Sequence, residues 1–409
     1  MAQQSLKNNI FGYALPATIY VLVYTIWTMA FSFHLNLNLT RASYAVFYAI
    51  SFWCFFKSLK YWSSSAFLQS LTFMFGLVMV YCLFLMLTGT SGFKRELNPT
   101  NYTLLYVASV LPIYSFYYFG RKGMLSSYWF MVMTILFCIN AYALYYQNEQ
   151  RMLEMLVGGS EDFTNNSGYL IVSLLPLMAF FNKRSIIQYS GLFVLMAATI
   201  LCFKRGAILV GFLAIAYFIL KKLNVKNTSR RITTIALVAV LLVLLYRFFD
   251  TIFLTNDYFY QRVMQTREGD SSGRDSIYGY FWNFLSSSEN GVLEMLFGNG
   301  AAGTVKLLGI EAHNDWIEFA IDFGLLGIIV YLIYWFTIYK NYKFARKNLS
   351  DTIVLAMGMV LIINFARTFF SMSFISMSFM SNALIGYTMA MVDDARNRTA
   401  ECYYSLTFK

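Results

Sequence analysis

Apolar residues along this chain come in long runs separated by short polar breaks. Twelve such runs lie near 10–33, 42–56, 66–88, 101–119, 124–147, 167–181, 185–203, 206–220, 232–249, 313–339, 351–370 and 374–392. A helix crossing the hydrocarbon of a bilayer needs about 20 mostly apolar residues. The pattern therefore predicts an all-α, polytopic integral membrane protein of about twelve transmembrane helices, a single domain over residues 1–409. The first run is too long for a cleavable signal, and no small-residue site closes it. One connection breaks the rule of short loops. Residues 250–312 form a long loop between the ninth and tenth runs, and loops of that length are usually functional or disordered. Within it Ile277, Tyr280, Phe281, Phe284 and Leu285 recur at helical spacing, which predicts an amphipathic helix capped by Asp275 or Ser276. Val292 to Phe297 is a second apolar patch, closed by Gly298-Asn-Gly300. Both predict short helices resting on the membrane or on the bundle. A smaller, acidic loop at 148–166 leads into Ser167-Gly168.

Composition sharpens the class. The chain is 58% apolar and 12% charged, with 31 Tyr and 40 Phe and a mean hydropathy of +0.55. That is too little charge to cover a soluble surface and too much hydrophobicity for disorder. Five cysteines exclude a disulfide scaffold; Cys54, Cys82, Cys138 and Cys202 lie in apolar runs and read as small core residues. The net charge of +11 reports orientation. With the N-terminus in the cytoplasm, the basic loops 57–65, 120–123, 182–184, 221–231 and 340–350 all fall inside, where the acids are only Asp351, Asp393, Asp394 and Glu401. This positive-inside pattern puts both termini in the cytoplasm and the long loop outside. It needs no nucleic-acid partner.

Some charges sit where that rule does not put them. Arg205, in Lys204-Arg205-Gly206, lies between two apolar runs. Arg247 and Arg367 lie near outer ends of spans, and Arg262, Arg267 and Arg274 are spread through the long loop. Charge at membrane depth is expensive and points to function. Guanidinium forks match phosphate oxygens, so these arginines suggest a phosphate or pyrophosphate site at the outer interface. Snorkelling, or pairing with carboxylates, is the other reading. Of the two histidines, His34 ends the first span as an interfacial residue. His313 opens the span after the long loop, in Glu311-Ala-His313-Asn314-Asp315-Trp316. If that span is one helix, His313, Ile317, Ala320, Gly324 and Gly327 share a face open to close helix approach. Asp315, Glu318 and Asp322 share another. A histidine beside carboxylates is a natural general base, with Glu311 and Asp315 next in line; an N-terminal cap is the alternative. No P-loop, Cys/His metal cluster or Gly-x-Ser-x-Gly elbow is present. Asp257, Glu268, Asp270, Asp275 and Glu311 could hold a metal, but nothing in their spacing demands one. No cofactor is expected.

These residues resemble a known signature. Phe297-Gly-Asn-Gly300, then Glu311-Ala-His-Asn-Asp-Trp and a helix ending in Gly324-Leu-Leu-Gly327, is similar to that of the O-antigen ligase and O-antigen polymerase superfamily. Lys204-Arg205-Gly206-Ala207 resembles its Ser-Arg-Gly-Ala motif, with Lys in place of Ser. Ser272-Gly273-Arg274 resembles its Ser-Gly-Arg segment, and Arg262 stands eleven positions before Gly273, as in the Arg-x10-Gly spacing of polymerases. Asn166-Ser-Gly-Tyr-Leu, running on to Pro176, resembles the family's helix after a short outer loop. The resemblance covers roughly residues 160–340. It implies a membrane glycosyltransferase in the bacterial inner membrane with a periplasmic active site. The implied donor is a glycan on undecaprenyl pyrophosphate, held by Arg205, Arg262 and Arg274, and His313 is the implied base, without a metal. A flippase and a chain-length regulator are the implied protein partners. The activity expected is a polymerase joining lipid-linked repeat units of an O-antigen, capsule or exopolysaccharide. Alternatives are a ligase transferring glycan to lipid A-core, a peptidoglycan polymerase of the shape and division family, and a lipid-linked oligosaccharide flippase.

The orientation is testable by itself. Reporter fusions at Lys222 and Lys343 should signal cytoplasm, and fusions near Asn256 and Ser287 should signal periplasm. A cytoplasmic signal at Ser287 overturns the placement of the site.

Overall fold

In a computed structural model of the chain, residues 10–94, 96–157, 165–224, 228–268, 274–287, 291–371, 374 and 378–407 are described. Asp270, Ser272 and Gly273 lie outside them. In chain order the helices are α1 (Ile10–Ser32), α2 (Leu37–Ser58), α3 (Ala66–Thr88), α4 (Pro99–Arg121), α5 (Ser127–Val157) and α6 (Gly168–Val172). There follow α7 (Ser185–Leu201), α8 (Arg205–Leu223), α9 (Thr228–Thr255), α10 (Asp257–Arg267), α11 (Arg274–Ser286), α12 (Val292–Phe297), α13 (Gly303–Leu308), α14 (Asp315–Asn348), α15 (Asp351–Phe370) and α16 (Phe379–Thr407). No strand occurs among the described residues.

Nine of these helices are long and apolar enough to cross a membrane: α1 to α5, α8, α9, α14 and α15. Three of the twelve expected runs differ from that kind. The run at 167–181 divides into α6 and a 3-10 segment, Leu175–Phe181, with Pro176 in its first turn. Proline supplies no amide to continue a helix. Helix α7 has 17 residues, about 25 Å of rise, just short of the hydrocarbon thickness. Helix α16 continues into Asp393, Asp394, Arg396 and Arg398, and its apolar half packs on α4 instead of on lipid. Contact between α4 and α16 is close because two glycines allow it. A Cβ on Gly120 would lie 2.7 Å from that of Ala390, and one on Gly386 would overlap the carbonyl of Ile113. Small residues at helix crossings serve this purpose where no hydrophobic force separates helix from lipid.

The long loop is helical. Helix α11 buries Phe281 against Ala312 and Ile321, so the expected amphipathic helix exists and rests on the bundle. Helix α12 exposes Val292, Leu293 and Met295.

Helix α14 departs from the expected single span. Gly324 has φ 63° and ψ −157°, outside any helix. Tyr331 Oη donates to Asp315 Oδ2 at 2.7 Å, and the Phe319 and Tyr331 rings stack at 4.3 Å. In an unbroken helix Asp315 and Tyr331 would lie about 24 Å apart. The limb Asp315–Phe323 therefore folds back along the limb that begins at Leu325. The expected face carrying His313, Ile317, Ala320, Gly324 and Gly327 does not form: His313 precedes the helix and Gly324 ends its first limb. Gly327 does admit a close neighbour, but the neighbour is the same chain, with Phe319 O 3.0 Å from where its Cβ would be.

The reversal strips Ile321 and Asp322 of their helical carbonyl partners. The Gly298-Asn-Gly300 turn replaces them. Asn299 N donates to Ile321 O at 2.8 Å and Gly300 N to Asp322 O at 3.0 Å. The side chains complete the clasp. Asp322 accepts from the amides of Ala302 (2.9 Å) and Thr304 (3.0 Å) at the start of α13. Glu318 accepts from Thr304 Oγ1 at 2.6 Å and from the amide of Ala312. Gly298 and Gly324 meet backbone to backbone, with a Cβ on Gly324 placed 2.6 Å from Gly298 N. Both have positive φ with ψ near 180°, a region that essentially only glycine enters.

Gly298→Ala and Gly324→Ala should each lower stability by at least about 1–3 kcal/mol from the backbone conformation alone, with overlap adding to it. Gly279→Ala, in a helix with open space around the position, should be neutral or mildly stabilising. Thermal unfolding of the three purified variants checks this; equal melting points would refute the clasp.

Candidate functional site

The site forms where three helix ends meet. Helix α15 ends at Phe370, whose carbonyl has no helical partner. Arg274, the first residue of α11, donates to it at 3.3 Å, and Tyr169 Oη of α6 donates to the same oxygen at 3.3 Å. Tyr278, one turn along α11, donates to the Phe369 carbonyl at 3.4 Å. A helix C-terminus carries partial negative charge, so a cation there is favoured. Arg367 is buried one turn before that end, its guanidinium 5.0 Å from the Tyr169 ring centre.

Helix α8 arrives from the other side. Phe203, at φ 51°, turns the chain from α7 into α8, which opens at Arg205. A Cβ on Gly206 would overlap Tyr169 Oη and lie 3.3 Å from Phe370 Cβ, so the start of α8 abuts the Tyr169–Phe370 pair. Gly168 is equally tight, 3.0 Å from Ala207 Cβ and 3.4 Å from Lys204 Cβ at its own Cβ position. The Asn166–Leu170 and Lys204–Ala207 segments are thus one packed unit. Arg205 Nη1 donates to the Arg262 carbonyl at 3.4 Å, which brings α10 in. The Arg262 guanidinium lies 5.9 Å from the Tyr258 ring centre. Arg205 occupies a helix N-terminus, where the macrodipole is already positive. The pair favours an anion and opposes a bare cation.

His313 completes the group. It precedes the short limb of α14, in a left-handed conformation at φ 54°. Asn314 then caps the limb, its Oδ1 accepting from Trp316 N at 2.9 Å and Ile317 N at 3.3 Å. The cap role weighed for His313 therefore belongs to its neighbour. A non-glycine residue held left-handed costs on the order of 1–3 kcal/mol and marks a position that the surroundings enforce. The residue is exposed, yet the surrounding protein still disfavours charge on the imidazole. That desolvation is the main cause of a pKa held below the usual 6.5; Glu311 opposes it, and Lys204 and Arg274 reinforce it. His313 is thus biased toward the neutral form, which can accept a proton.

Of the residues marked by sequence, Arg274 and Arg367 meet at Tyr169 and Phe370, Arg205 opens the adjoining helix and reaches the Arg262 carbonyl, and His313 lies in electrostatic reach of Arg274 and Glu311. Asp315 is fully buried and bonded to Tyr331, so it holds the fold-back. Arg247 and Arg267 are exposed on α9 and α10, and His34 is exposed at the end of α1. Sequence reasoning missed Tyr169, Tyr278 and the Phe370 carbonyl, and it did not see Lys204 as a neighbour of His313. Among the described residues no three His, Cys, Asp or Glu side chains group as metal ligands. No protein-family model matches the chain, and no curated protein matches it.

The histidine field has a sign that can be measured. In a His34→Gln background, the pH dependence of His313 modification by diethyl pyrocarbonate should have its midpoint below 6.5. Lys204→Met and Arg274→Gln should move it up, and Glu311→Gln should move it further down. A midpoint that ignores all three variants contradicts the electrostatic assignment.

Proposed function

We propose that the protein is a polymerase of lipid-linked oligosaccharide repeat units, acting at the periplasmic face of a bacterial inner membrane. In this reading the chain crosses the membrane twelve times, with both termini in the cytoplasm. The observation that carries the proposal is the gathering of Arg274 and Arg367 around one helix end, beside the start of the Arg205 helix and a histidine biased to its neutral form. The resemblance of the Lys204–Ala207 and Phe297–Gly327 segments to the O-antigen polymerase and ligase superfamily points the same way.

The chemistry matches the residues. An acceptor sugar hydroxyl loses its proton to His313 and attacks the anomeric carbon of the donor glycan. The bond from that carbon to the pyrophosphate oxygen breaks, and undecaprenyl pyrophosphate leaves with the electron pair. Charge grows on the leaving oxygen, and Arg205, with Arg262 and Arg274, stabilises it. Arg367 adds positive potential from behind Tyr169. The acceptor is the next repeat unit in a polymerase and lipid A-core in a ligase. A flippase that delivers the donor and a regulator of chain length are the partners this activity needs.

Arg205→Lys keeps charge but loses the planar fork, and should slow transfer by about two to three orders of magnitude. His313→Ala should cost roughly 10²–10⁴-fold, while His34→Ala should leave activity near wild type. EDTA should not abolish turnover by purified protein on lipid-linked repeat units. In cells, deletion should leave glycan capped at a single repeat unit. Long glycan remaining on undecaprenyl pyrophosphate would mark the ligase instead, and near-wild-type turnover by His313→Ala would remove the base assignment.

A further inference from the structure

Behind α6 lies a partly open cavity of about 400 Å³, lined by α1, α4, α5, α6 and the start of α16. Its size falls within the range of small-molecule sites, about 300–1,000 Å³. Among the described residues no charged side chain lines it. Its walls combine aromatic rings with carboxamides. Tyr24, Trp27 and Phe137 supply the rings, and Asn140, Gln147 and Asn148 supply the amides. Asn140 and Gln147 are buried.

This lining is specific in what it can recognise. A phosphate or carboxylate would find no cation in it. A lipid tail would gain nothing from three amides, two of them buried, because polar groups are costly to desolvate without hydrogen bonds. A neutral sugar has the matching surface: a face of C–H groups that lies against aromatic rings and a rim of hydroxyls that pair with amide N–H and C=O. The polar groups are held in place beforehand. Asn140 Oδ1 accepts from Thr28 Oγ1 at 2.6 Å and its Nδ2 donates to Thr25 Oγ1 at 3.1 Å. Asn148 Nδ2 donates to Ser167 Oγ at 2.7 Å. The rings are fixed too, with Tyr24 stacked on Phe379 at 3.7 Å and Trp27 on Phe47 at 5.6 Å. Fixed rotamers mean less entropy lost on binding.

The cavity also adjoins the arginine site. Tyr169 faces Phe370 and Arg367, while the next residue, Leu170, lines the cavity. We propose that this cavity binds neutral sugar residues of the acceptor glycan, so that one wall of α6 separates the sugar subsite from the pyrophosphate subsite. The acceptor role rests on the polymerase reading; the sugar chemistry of the cavity does not.

The test uses full-length protein in lipid nanodiscs and three probes: maltose, lactose and N,N′-diacetylchitobiose. Saturation-transfer NMR should show transfer from aromatic protons to at least one disaccharide, undiminished by inorganic pyrophosphate. Trp27→Leu and Gln147→Leu should each weaken binding at least tenfold while melting within a few degrees of wild type. In the polymerisation assay they should raise the acceptor KM more than they lower kcat. Absence of transfer to all three probes, or undiminished binding by both variants, overturns the proposal. The two readings fail separately. If the wild-type protein makes no polymer from lipid-linked repeat units while the cavity variants lose sugar, the polymerase reading fails and the sugar site stands. If His313→Ala is inactive while both cavity variants bind and polymerise as wild type, the sugar site fails and the polymerase reading stands.

Discussion

The approach of two glycine backbones, Gly298 and Gly324, is the constraint on which the site depends. Neither position has room for a Cβ. Their contact lets the chain reverse within α14, and the reversal sets two further requirements. Carbonyls freed from the helix must find donors, which Asn299 and Gly300 provide. Carboxylates carried inward on the short limb must be satisfied, which the amides around α13 and the Thr304 hydroxyl do. Once these are met, the start of the short limb is held beside α15 by the Tyr331–Asp315 bond and by Trp316 Nε1 donating to Thr368 Oγ1 at 2.9 Å. His313 stands one residue before that limb's cap, and its position is inherited from the clasp.

Electrostatics at the site run against folding stability. Several guanidiniums gather in a region of lowered dielectric, where like charges repel more than in water. Arg205 adds positive charge at a positive helix end, and Phe203 and His313 hold strained conformations. Aromatic faces and helix C-terminal carbonyls offset part of this, as with Arg367 over Tyr169 and Arg274 on Phe370.

The class of fold was legible because its cause is local: lipid exposure selects long apolar runs, and counting them needs no tertiary knowledge. The amphipathic helix around Phe281 was legible for the same reason. The arginines and His313 stood out because charge is rare in such a chain. What escaped was whatever depends on the backbone. Nothing in the letters distinguishes the ε-region glycine at 324 from a helical one, so a fold-back read as a continuous span. Tyr169 is one of 31 tyrosines and is marked only by the contacts it makes. The Phe370 carbonyl has no side-chain signature at all. The three acids of α14 read as sharing one helical face, yet Glu318 and Asp322 serve the clasp and Asp315 holds the fold-back through Tyr331.

The site draws its groups from residues 169, 205, 262, 274, 313 and 367–370, nearly half the chain. Contacts so far apart in sequence form late, because each must wait for the intervening chain to be made and to close a large loop. A nascent chain that stops before α15 has its arginines and its histidine but lacks the carbonyls at Phe369 and Phe370 that draw α11 and α6 together. The arrangement thus comes into being only when the helix that gathers it has been made.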